Sequence, residues 1–193
     1  MTRLTRSLAA LVLVAATALS ARAAAQPFTL DRSHSDVGFT ISHMMISKVR
    51  GAFRDYSVDL NIDTEDIAKS SVKAVIQVAS IDTDNADRDK HLLNEDFFEE
   101  PKFKTITFTS KKIEKRGGQW VAIGDFTMKG VTKSIELPFT LNGPIQDPWG
   151  NTRVGIETNL VINRRDYGIT YGNAAMVGDE VSIQISLEAT QKK

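Results

Sequence analysis

From Phe28 onward apolar residues recur at every second position. Tyr56, Val58, Leu60 and Ile62 alternate with Ser57, Asp59 and Asn61, and Val72, Ala74, Ile76 and Val78 alternate with Lys73 and Gln77. Ile106 and Phe108 stand between Thr105, Thr107 and Thr109. Trp120, Ala122, Gly124, Phe126 and Met128 form the next row, and Ile135, Leu137, Phe139 and Leu141 the one after it. Val154, Ile156, Thr158, Leu160 and Ile162 follow, and Val181, Ile183, Ile185 and Leu187 close the series. Successive side chains of a strand point to opposite faces, so each segment predicts a strand with one apolar and one polar face. Adding Val37, Phe39 and Ile41 gives about eight strands.

The residues between these rows are turn formers: Gly117-Gly118, Gly130, Asn142-Gly143-Pro144 and Pro148-Trp149-Gly150-Asn151. Pro138 lies inside a strand pattern and predicts a bulge or a locally unpaired position. Between Asp84 and Phe98 the period becomes helical, with Ala86, Leu93 and Phe97 on one face. Asp84 is the expected N-cap, with Asp87 reaching back to the first turn, and Glu65 to Ser70 suggests a second, shorter helical turn.

About eight amphipathic strands can close into a barrel, which also removes exposed sheet edges. A membrane barrel would face its apolar side outward and frame it with aromatic girdles. With 3 Tyr, 2 Trp and a helix interrupting the strands, the chain lacks that signature, so the apolar rows are expected to face inward. The inward rows mix large residues (Phe39, Phe53, Phe108, Trp120, Phe126, Phe139) with small ones (Ala74, Ala122, Gly124, Thr158). That mixture fits a solid core or a hollow one.

The first 25 residues read differently. Arg3 and Arg6 precede the apolar run Leu8 to Leu19, and Ala21-Arg22-Ala23 and Ala23-Ala24-Ala25 offer cleavage sites. This is the order of a secretory signal peptide, too short for a comfortable membrane span. Residues 1–25 are therefore expected to direct export to the periplasm, with 26–193 as a single domain. An uncleaved anchor is the alternative. Removing residues 1–25 takes three basic residues from a chain with 24 basic and 24 acidic ones, leaving a mildly acidic domain. The net charge of such a domain gives no electrostatic reason to expect nucleic acid or an anionic membrane as its main partner. The chain has no cysteine, which excludes thiol chemistry, a thiolate metal site and a lipidated cysteine. A domain free in solution is expected, not an integral membrane protein.

Motifs for catalysis are missing. His34, His43 and His91 show none of the short spacings of zinc sites, so neither a metal nor a cofactor is expected. No nucleophile elbow, phosphate-cradling loop or dinucleotide fingerprint appears. The densest polar cluster is Ser80-Ile81-Asp82-Thr83 with Arg88-Asp89-Lys90-His91-Leu92, where a strand leaves the barrel and the helix begins. Asp82 and Thr83 can bond loose backbone at the strand end while Arg88 or His91 ties the helix to the rim, or the same groups can surround a mouth and, with His43, meet a ligand's head group. In Asn163-Arg164-Arg165-Asp166-Tyr167-Gly168, Arg164 and Arg165 can pair with a phosphate, or with Asp166 and nearby acids.

These segments resemble the YceI-like family of periplasmic polyisoprenoid-binding proteins. The likeness runs from Asp31-Arg32-Ser33-His34-Ser35 through Val37, Phe39, His43, Gly51 and Phe53 to Ser80-Ile81-Asp82-Thr83, Arg88-Asp89-x-His91-Leu92 and Asp96-Phe97-Phe98. It continues through Ile106-x-Phe108-x-Ser110, Gly124-Asp125-Phe126-Thr127, Gly130-Val131-Thr132 and Asn163-Arg164-x-Asp166-Tyr167-Gly168. One departure is Lys104, where the family usually has a proline; here the proline is Pro101. The resemblance implies an all-β, lipocalin-like, eight-stranded antiparallel barrel with one inserted helix. It also implies an elongated apolar tunnel for an isoprenoid, a quinone-like lipid or a similar long-chain amphiphile, held without covalent attachment.

The expected tunnel wall comprises Phe39, Ile41, Phe53, Val58, Leu60, Ile76, Val78, Phe108, Trp120, Phe126, Leu137, Phe139, Ile156 and Leu160, with Leu93 and Phe97 lining or gating it from the helix. Two other readings stay open: an enzyme acting on an isoprenoid or quinone lipid, and a stress-related interaction protein with a packed barrel. The sequence also leaves open whether the barrel stands alone or pairs as a homodimer.

Overall fold

The structure is a computed structural model describing residues 24–191, so all but the last two residues of the expected export segment lie outside it. The strands before the helix are β1 (Gln26–Leu30), β2 (Asp36–His43), β3 (Ser47–Phe53), β4 (Tyr56–Ile62), β5 (Ser71–Gln77) and β6 (Ile81–Asp82). After the helix come β7 (Thr105–Arg116), β8 (Gln119–Met128), β9 (Val131–Gln146), β10 (Thr152–Asn163) and β11 (Val177–Gln191). All pairings are antiparallel. The order β1-β4-β5-β7-β8-β9-β10-β11 closes on itself through β1 and β11, an eight-stranded barrel.

The remaining strands continue three of these eight past a break. β11 carries β1 near its end (Leu30↔Ala189) and β2 farther back (Ser186↔Asp36). β3 leads almost directly into β4, and β6 follows β5 after a 3-10 turn, Val78–Ser80, to pair with β3. The first break is a 3-10 turn at Arg32–His34, where the Asp31 carboxylate accepts from the Ser33 amide. Seven of the eight periodic segments are strands of the closed ring and the eighth, Val37 to Ile41, is β2, whereas β1, β3 and β6 had no alternating row in the sequence.

The polar and glycine positions do what their chemistry requires. Gly117 and Gly118 adopt φ of 55° and 89° in the β7–β8 hairpin, a left-handed pair that a side chain resists. Pro138 sits in unbroken register with β8, opposite Val121, but the ladder to β10 stops at Phe139↔Thr158. Its carbonyl faces β10 and accepts the Thr158 hydroxyl at 2.6 Å, while its ring nitrogen has no hydrogen for the next rung. Above that point a 3-10 turn, Arg164–Tyr167, occupies the parting: Tyr167 is buried edge-on to Phe126, and Lys133 reaches Asp166 at 3.1 Å.

The helix α1 spans Ala86–Leu92, shorter and later than the sequence pattern suggests. Asn85, not Asp84, caps it by accepting from the Arg88 amide. Asp84 is left-handed (φ 58°) and gives its amide to the Asp82 carboxylate, so the chain is still turning there. Glu65 to Ser70 holds a 3-10 turn at Ile67–Lys69. Leu92, Leu93, Phe97 and Phe98 pack α1 and the turns after it against the barrel, beside the two-residue β6. At the opposite end Phe28, Leu60, Ile62, Val154 and Ala189 form a separate buried cluster across the floor.

Candidate ligand tunnel

Inward side chains in the middle of a solid barrel would be fully buried. Here Ile76, Leu137, Ile156, Leu160, Ile183 and Ile185 point inward yet keep part of their surface free. The walls are too far apart for these side chains to meet, so the barrel is hollow. Two connected chambers occupy it, a lower one of about 130 Å³ and an upper one of about 390 Å³. Val37, Ile76, Ile106, Phe126, Ile183 and Ile185 belong to the walls of both and form a waist.

The lower chamber is walled by Val58, Leu60, Phe108, Leu137, Phe139, Ile156 and Leu160, with few polar groups. Among those, the Thr158 hydroxyl is used by Pro138, and Ser70 Oγ accepts from the Asp63 amide at 3.0 Å. Phe39, Ile41, Phe53 and Phe97 wall the upper chamber. Three of the expected wall residues lie elsewhere. Val78 is in the 3-10 turn after β5 and is buried in the core. Leu93 caps α1 and packs beside the chamber, whereas its neighbour Leu92 lines it. Trp120 has the expected parity but lies near the β7–β8 turn, past the pairing of β7 with β5, beneath Lys115.

Polar side chains gather at the upper chamber. His43, Arg88 and His91 are on its wall, with Ser42, Arg164 and Tyr171. Arg88 donates through Nε to Thr83 Oγ1 (2.7 Å) and through an Nη to the Thr83 carbonyl (2.6 Å), which ties α1 to the rim. Its other Nη has no protein acceptor among the described residues and so has capacity for a ligand oxygen. His91 Nε2 lies 3.0 Å from Asp96, and its ring stands edge-on to Phe97 and Tyr171.

Asp82 and Arg165 are not on the wall. Asp82 accepts from the Asp84 amide and from Arg54 at 3.0 Å, and these bonds hold its carboxyl below the usual range. Arg165 donates to Asp179 (2.6 Å) and to the carbonyls of Thr170 and Gly172. Arg164, the other arginine of that loop, is buried and gives its N–H groups to the carbonyls of Ile169, Val177 and Gly178. Burial, and then the charge of Arg165, push its pKa down, opposed by Asp179. These bonds fasten the loop between β10 and β11, bringing Tyr171 and Met176 to the mouth.

The three histidines do not converge: His43 and His91 share the upper wall, while His34 sits at the β1–β2 break. Among the described residues, Asp31, His34 and Glu188 lie close enough to share a cation. Arg153 already donates to both Asp31 and Glu188 there.

The profile of the YceI-like domain matches residues 28–189, nearly the whole barrel. The chain belongs to the YceI-like family. A UPF0312 protein of Photorhabdus laumondii is 35% identical over 176 residues, covering 91% of each chain. One from Yersinia pestis is 36% identical over 177 residues, covering 92% of each. The crystal structure of a Campylobacter jejuni YceI protein superposes with a TM-score of 0.72 at 35% identity, over 86% of this chain and 98% of that one. A polyisoprenoid-binding domain from Saccharophagus degradans, implicated in plant cell wall breakdown, shares the fold (TM-score 0.64, 16% identity, 86% and 98% coverage). This YceI-like chain thus has a family barrel whose interior is a floored, apolar tunnel.

Proposed function

We propose that the protein holds a long-chain isoprenoid or similar amphiphile in this tunnel, for transport, storage or sequestration in the periplasm. The observation that carries the reading is the hollow apolar interior. Left dry and empty, the apolar lower chamber of about 130 Å³ at about 24 cal/mol per Å³ would forfeit roughly 3 kcal/mol. That is a sizeable share of the whole stability of a domain, about 5–15 kcal/mol. A tail gains about 0.8 kcal/mol per CH₂ removed from water, from which ordering costs are subtracted. The tail would lie through the waist into the lower chamber. A head group bearing oxygen, whether phosphate, quinone or amide, would stop in the upper one near Arg88, His43 and His91. The fold shared with the polyisoprenoid-binding domain supports the ligand class.

Mass spectrometry of protein purified from its own host, combined with uptake of a fluorescent apolar probe by the delipidated protein, tests this. A lipid that co-purifies and is displaced by the probe is expected. Absence of both lipid and uptake would overturn the reading. Turnover of that lipid, lost in His91→Ala, would instead make the tunnel an active site.

A further inference from the structure

The β2–β3 hairpin ends in an exposed apolar tip. Met44, Met45 and Ile46 are 54%, 75% and 86% exposed. Turns with positive φ at both central residues favour Asn-Gly. Here Met44 (φ 50°) and Met45 (φ 58°) take those positions, closed by the Ile46 amide on the His43 carbonyl. The chain thus keeps bulky apolar side chains where both the backbone and the solvent disfavour them, a combination that marks sites of function. The tip is held in place, since the Met44 amide donates to the Met176 carbonyl at 2.9 Å. Met176 and Tyr171, themselves 51% and 40% exposed, continue the apolar surface to the upper chamber, which they line.

Charge accompanies it. Lys48 and Arg50 follow the tip on β3, both exposed and without an ion-pair partner among the described residues. Of the nearby acids, Asp179 on β11 is bonded to Arg164 and Arg165 and Asp96 to His91, while Glu180 is exposed. We infer that this rim docks the tunnel mouth on an anionic lipid surface, with Met45 and Ile46 entering the head-group layer and Lys48 and Arg50 meeting lipid phosphates. The inference rests on the tunnel carrying a lipid: cargo passing through a mouth seated in the bilayer interface need not cross water. Apolar insertion supplies the binding, and the two cations supply the preference for anionic lipid.

The test uses the chain from Gln26 onward, which contains every strand of the barrel, in flotation with phosphatidylethanolamine–phosphatidylglycerol vesicles and with pure phosphatidylcholine vesicles. The protein is expected to float with the anionic vesicles. Met45→Asp with Ile46→Asp should weaken partition by about tenfold or more. Lys48→Glu with Arg50→Glu should lower it by about fivefold per cation on anionic vesicles only. None of these residues lines the tunnel, so melting temperature and probe uptake should match the parent protein. A parent protein that never floats, or a Met45→Asp, Ile46→Asp variant that floats equally well, overturns the docking proposal. So does a tip variant that only dissociates a dimer in sedimentation, which would make the rim a contact between copies. Failure of the lipid-carrier reading would show separately, as no probe uptake by the parent protein without vesicles.

Discussion

A Cβ built on Gly124 would lie 2.3 Å from the Thr109 carbonyl oxygen and 2.8 Å from the Ser110 Cα, both backbone atoms. At this point β7 shifts register between Ser110 and Lys112, and only a hydrogen at position 124 lets β8 approach so closely. Gly124→Ala is expected to cost about 1–3 kcal/mol, read as a lowered thermal midpoint by circular dichroism. In the sequence Gly124 was one small member of an inward row, with nothing to separate filling from close approach. Alternation assigns a face and no more. It placed Leu137, Ile156 and Leu160 inward, yet gave Trp120 the same standing, because parity does not say how far along the barrel a residue sits. Val78 failed for another reason: the 3-10 turn that breaks its strand leaves no mark on the period.

Elements are tied together by contacts distant in sequence. The break between β1 and β2 is clamped by Arg153 of β10, whose Nη1 lies 2.9 Å from the Asp31 carboxylate and also reaches Glu188 of β11. The Ser33 hydroxyl, then Arg153 and His34, hold the Asp31 carboxyl well below the usual carboxylate range. Bonds from Asn151, and in smaller part from Arg153, lower Asp147 likewise. A carboxyl depressed on folding contributes stability above its unfolded pKa, about 3.9, and that contribution is lost as pH falls toward the folded value. Thermal midpoints should therefore drop as pH falls below about 4. Arg153→Ala should lower the midpoint at neutral pH and flatten the acid slope, and an unchanged slope would discount the clamp. Sequence pattern could single out Asp31-Arg32-Ser33-His34-Ser35 only through the family likeness, since its partner lies 122 positions away. The helix was legible by period, whereas its start was not: Asp84 and Asn85 are both good caps, and only the left-handed turn at Asp84 decides between them.

For the molecule as a whole, eight alternating segments sufficed to predict a closed barrel with an apolar interior. They could not say that it was hollow, because volume depends on barrel diameter and side-chain reach together. The waist gives a direct check. Ile185→Phe adds bulk to open space, not to a filled core, so the midpoint should move by less than about 1 kcal/mol equivalent. Uptake of a long-tailed probe should fall while a short one, held in the upper chamber alone, still binds; equal loss of both would argue against two chambers in series. The parting above Pro138 has a wider consequence. The circumference of a closed sheet is fixed by its rungs, and widening it breaks backbone hydrogen bonds at several kcal/mol each in apolar surroundings. Between β9 and β10 the upper barrel has no rung to break. Its girth there is set by side chains alone, Tyr167 against Phe126 and Lys133 against Asp166. Under the proposed carriage of a lipid, the lower chamber would act as a bore of fixed gauge and the upper one as an adjustable collar, which would let a uniform tail be combined with heads of differing width.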